Sequence, residues 1–78
     1  MNKEMYDKIP YKWAETLRQL RYDTGITQTE LAHRAGVNRG HIWCVENKKR
    51  NPTIAVLEAL INSMGHTLEI YKVDDDDI

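Results

Sequence analysis

The chain has 78 residues, 41% hydrophobic and 29% charged, with eleven Lys and Arg against twelve Asp and Glu for a net charge of −1. A chain of this size buries only about 60% of its unfolded surface, which allows one domain with one core and leaves oligomerisation as a further source of stability. A single cysteine, Cys44, excludes a disulfide within the chain; with no apolar run near the ~20 residues that span a bilayer and no signal peptide, a soluble, cytoplasmic protein without a membrane partner is expected.

The charge is unevenly spread. Asp74 to Asp77 hold four of the twelve acidic residues, which leaves eleven basic against eight acidic side chains before them, a balance of +3. Local charge decides whether phosphates are attracted, and Lys48, Lys49 and Arg50 stand together.

Residues 1–9, with Met5, Tyr6 and Ile9 among mixed charges, read as an N-terminal arm. Pro10 suits a first helical turn, and Trp13, Leu17 and Leu20 recur at the spacing of one buried helical face running to about Thr24, with Gly25 as terminator. Thr27 followed by Glu30 is a capping-box signature, in which hydroxyl and carboxylate satisfy each other's backbone N–H groups at a helix start. Leu31 and Ala35 share one side of this second helix, and Gly36 supplies a left-handed end. Val37 is an apolar plug, Asn38 an N-cap, and Ile42 and Val45 the buried edge of a third short helix.

Residues 48–51 form a polar loop, and Pro52 is expected in the first turn of a fourth helix whose apolar stripe is Ile54, Leu57, Leu60, Ile61 and Met64, closed by Gly65. The period then changes. His66, Leu68 and Ile70 alternate with Thr67, Glu69 and Tyr71 up to Val73, which reads as a strand. No second strand is evident, residues 2–9 being a weak candidate, and the like-charge block in residues 74–78 reads as a disordered acidic tail.

Gln28, Leu31, Ala32, Ala35, Gly36, Val37, Ile42 and Val45 fall at the spacing of a helix-turn-helix, and with Glu46 through KKRNPT to Leu57 the stretch resembles the phage-repressor (Xre) family over residues 17–65. The resemblance implies an all-α fold of four to five helices, lambda-repressor-like, here in residues 10–65, to which the alternating pattern adds one C-terminal β-strand in residues 66–73. It also implies a transcriptional regulator, most simply a repressor, that binds double-stranded DNA with the third helix in the major groove.

On that reading the base-facing residues are Asn38, Arg39, Gly40 and His41, then Trp43 and Cys44 one turn on. Arg39 is the best reader, since a guanidinium bonds guanine O6 and N7 with two parallel hydrogen bonds. Asn38 must choose between capping and contacting DNA, while Gly40 removes a reader but lets the backbone approach. Trp43 either touches thymine methyls or sugar edges, or packs as a partly buried ring on the fourth helix or loop. Gln28, Thr29, Lys48, Lys49 and Arg50 are placed for phosphates.

A lone strand needs a partner, so a homodimer pairing two copies through Leu68, Ile70 and Tyr71, on an inverted-repeat operator, is expected. The alternative is an antitoxin that chiefly holds a toxin protein, as small members of the same fold do. His41 and Cys44 are i, i+3 on one helix but lack further ligands at a zinc spacing. No nucleophile elbow, P-loop or paired carboxylates appear, so no metal, cofactor or enzymatic activity is expected.

Overall fold

A computed structural model describes the backbone of residues 3–74 and the side chains from residue 13 onward. The acidic tail beyond Asp74 and residues 1 and 2 of the expected arm lie outside the described residues. Four helices follow in order: α1 (Lys3–Thr24), α2 (Gln28–Ala35), α3 (Arg39–Glu46) and α4 (Ile54–Ser63). α2 packs on both α3 and α4, and α1 closes over α3.

The core follows the apolar spacing. Leu17 of α1, Leu31 and Ala32 of α2, Ile42 and Val45 of α3, and Leu57, Leu60 and Ile61 of α4 are buried together with Ile26 and Met64. Trp13, Leu20 and Val37 pack on it half-exposed. Ile54, counted into the apolar stripe, instead stands 72% exposed.

Local chemistry sets the helix ends. Thr27 accepts the Glu30 N–H at 3.1 Å, so the hydroxyl half of the expected capping box forms. Gly36 ends α2 at φ 68°, a left-handed conformation that costs a residue with a Cβ roughly 1–2 kcal/mol, and its N–H returns to the Ala32 carbonyl. The Asn38 side chain accepts the Gly40 N–H at 2.7 Å and starts α3. After α4 the N–H groups of Gly65 and His66 bond the carbonyls of Asn62 (3.1 Å) and Ile61 (3.0 Å), the paired closure of a Schellman motif.

Three expectations need correction. α1 begins at Lys3 rather than Pro10, and the stretch set apart as an arm supplies its first turns. A proline at position 10 keeps helical φ but removes one ladder bond from the helix interior, at a cost of about 3 kcal/mol. Pro52 does not open α4: Thr53 is the N-cap, accepting the Val56 N–H at 3.2 Å, and Pro52 is buried just before it.

The third correction concerns the β-strand expected in residues 66–73, which is not formed. Among the described residues no backbone hydrogen bond reaches residues 67–74. A strand exists only through its ladder, and the one weak candidate for a partner is spent in α1. Leu68 leans on the core, whereas Ile70 is fully exposed and Tyr71 is 81% exposed.

Candidate nucleic-acid interface

α3 has two faces. Ile42, Val45 and Glu46 are buried, and the opposite ridge is Gly40, Trp43 and Asn47, one helical turn apart and all exposed, with Arg39 exposed beside it. At eight residues α3 is about 12 Å long, on the scale of the major-groove width. His41 and Cys44 stand half-buried at the margins, and His41 Nε2 is screened from solvent with no hydrogen-bond partner among the described residues.

Of the expected base readers, Arg39, Gly40 and Trp43 thus lie together on the open face. Asn38 is exposed, but its side-chain oxygen is held by the cap. Asn47, passed over in the sequence, completes the ridge while its amide donates to the Trp43 carbonyl at 2.9 Å. The i, i+4 spacing of Trp43 and Asn47 was the available signal.

The expected phosphate contacts gather at the other end of α3. Gln28, the first residue of α2, donates to Glu46 Oε1 at 3.1 Å, so the start of α2 adjoins the end of α3 and the basic loop that follows. Thr29, Lys48, Lys49 and Arg50 are exposed there, while Gln28 is half-buried and its amide is engaged internally.

The loop itself is shaped by an unusual backbone. Lys48 has φ 62°, and the N–H groups of Lys48 and Lys49 bond the carbonyls of Val45 (3.3 Å) and Cys44 (2.8 Å). This is the Schellman closure again, with lysine where glycine is normally found. Lys48 Nζ lies 3.7 Å from Glu15 Oε1, an exposed pair of little energetic weight.

Beneath the interface lies a charge network. The Arg21 guanidinium grips Glu46 with two parallel bonds, Nε to Oε2 at 2.8 Å and Nη2 to Oε1 at 2.9 Å, and donates through Nη1 to the Ile26 carbonyl. It also lies 4.9 Å over the Tyr22 ring, and Arg18 donates to the Glu46 backbone carbonyl. Burial pushes the Glu46 carboxyl upward, but the hydrogen bonds from Arg21 and Gln28 and the charges of Arg21 and Arg18 outweigh it and hold it below its ordinary range. The Glu46 hydrogen bond in turn raises Arg21, against the opposing effect of burial. The sequence signal was faint: Arg21 continues the apolar spacing from Leu17, and Glu46 that from Ile42, with opposite charges.

Among the described residues no three His, Cys, Asp or Glu side chains gather as metal ligands, and no helix is long and apolar enough to cross a membrane.

The short paired helices, the turn at Gly36 and the exposed third-helix face define a phage-repressor-like helix-turn-helix DNA-binding protein. Residues 14–78 match the helix-turn-helix domain family, and the chain belongs to it. It is 32% identical over 62 residues to an uncharacterized HTH-type transcriptional regulator of Methanothermobacter thermautotrophicus, covering 77% of this chain and 90% of that one. It is 28% identical over 51 residues to the immunity repressor protein of Bacillus phage phi105, covering 65% of this chain and 35% of the repressor. A third relative, an uncharacterized HTH-type transcriptional regulator of Sinorhizobium fredii, is 34% identical over 47 residues, covering 60% and 61%. These relatives are named as transcriptional regulators or a repressor, not as enzymes.

Proposed function

We propose that the protein is a transcriptional repressor that binds a specific duplex sequence as a homodimer on an inverted repeat. The observation that carries this is the division of labour along α3. An open face bearing Arg39, Gly40 and Trp43 is followed at the end of α3 by exposed Lys48, Lys49 and Arg50, with exposed Thr29 at the adjoining start of α2. The first can reach base edges while the second holds the flanking phosphates, which fix register. The naming of one relative as an immunity repressor supports the direction of regulation.

Support for the homodimer comes from the segment after α4. Ile70 and Tyr71 are exposed on a backbone without hydrogen bonds in residues 67–74 among the described residues, an arrangement that a second copy would cover. Two copies related by a two-fold axis would present two α3 helices, and a separation near 34 Å would place half-sites one turn apart.

Selection from a random duplex pool at moderate salt, with the wild type and Ile70→Asp, tests both parts. The expected outcome is an enriched inverted repeat for the wild type and a monomer with weakened binding for the variant. Failure to enrich any sequence would refute DNA recognition. A variant that keeps the wild type's mass in solution would refute the dimer contact.

A further inference from the structure

The open face of α3 carries little that can hydrogen-bond to a base one turn beyond Arg39. Trp43 is 46% exposed, and among the described residues no hydrogen bond engages its indole. One turn earlier Gly40 leaves a gap: a Cβ built there would meet Asn38 Oδ1 at 3.0 Å and nothing else within 4 Å. An indole beside bare backbone is an apolar surface with a recess. Of the groups that base pairs present in the major groove, the donors and acceptors would lose water against the ring face and gain nothing in return, whereas the C5-methyl of thymine would lose nothing; the indole N–H, at the ring edge, serves at most one acceptor.

We propose that Trp43 is a specificity residue that recognises a pyrimidine C5-methyl group. It therefore selects thymine and, by the same chemistry, 5-methylcytosine over cytosine at that position. The inference rests on the DNA-binding reading above. Arg39 and Trp43 are four residues apart, an axial rise of about 6 Å, against a base spacing of 3.4 Å. The methyl-bearing pyrimidine therefore lies about two base pairs from the guanine that Arg39 reads.

The test is atomic substitution in the DNA, made first with the unaltered protein and then with two variants of Trp43. Each thymine of the selected duplex is replaced in turn by deoxyuridine, and affinity is measured. Removing one methyl from apolar contact should weaken binding about three- to fivefold at one position in each half-site. Cytosine there should bind poorly, and 5-methylcytosine should recover part of the loss. In Trp43→Ala the thymine-to-deoxyuridine difference should vanish, and in Trp43→Leu it should persist.

Indifference of the wild type to every methyl, with sequence selection intact, would overturn the assignment alone. A methyl effect undiminished in Trp43→Ala would do the same. A wild type that selects no duplex at all would instead bring down the DNA-binding reading itself.

Discussion

Replacing Glu46 by alanine would strip Arg21 of both bonds to its carboxylate while leaving the guanidinium, with a side chain only 11% exposed, inside the fold. What remains to Arg21 is the Ile26 carbonyl and the face of Tyr22, neither of which neutralises it. Removing one partner of a buried pair costs about 3–5 kcal/mol. A 78-residue chain at ordinary stability per residue has roughly 4–12 kcal/mol in total. The loss is therefore a large share of stability, and at about 4–8 °C per kcal/mol for a domain of this size it lowers Tm by more than ~12 °C.

Urea titration followed by far-UV circular dichroism measures the effect. The companion double replacement, Arg21→Met with Glu46→Leu, should recover most of the loss, because an apolar pair of similar volume avoids the desolvation that both charges suffer. A cost below about 1 kcal/mol for Glu46→Ala would refute the reasoning, as would a double variant whose loss is the plain sum of the two single ones.

Arg39→Ala should relax base preference at one operator position at a cost of about 1–3 kcal/mol, whereas Lys49→Ala should weaken all sequences alike and lower the salt slope by about one; titration against the selected and scrambled duplexes separates them. Lys48→Gly relieves a left-handed backbone and should raise stability by about 0.5–1 kcal/mol while reducing DNA affinity at low salt. An unchanged affinity would remove Lys48 from the phosphate contacts. Because the folded Glu46 carboxyl sits below its ordinary value of 4.5, the unfolded chain binds that proton first on acidification. The stability it contributes is complete above that value and is lost as pH falls from there through the depressed folded one. Urea midpoints between pH 6 and pH 3 should thus fall more steeply for the wild type than for Glu46→Gln.

Features settled within a few residues were legible. The Thr27 hydroxyl, Gly36 and Asn38 act on backbone groups two to four positions away, so α2, its end and the start of α3 could be read from spacing. The alternation from His66 to Val73 was equally clear as a pattern, yet strand formation depends on a ladder partner that no local pattern supplies. Arg21 and Glu46 are 25 positions apart, and what joins them is the way α1 crosses α3. Ile54 shows the limit of periodicity: as the first residue of α4, beyond the packed region, it keeps the apolar spacing without being covered.

The clamp on Glu46 has a consequence for how an operator would be distinguished. Only three residues link α2 to α3, with Val37 plugged half-buried and its N–H tied to the Ala32 carbonyl, and the far ends of the two helices are joined through Gln28 and Glu46. Pinned at both ends, the pair meets a poorly fitting groove as one unit. The adjustment therefore falls to the duplex, and its bending and twisting energy becomes part of the discrimination. Base pairs that no side chain touches should then affect affinity as sequence-dependent stiffness.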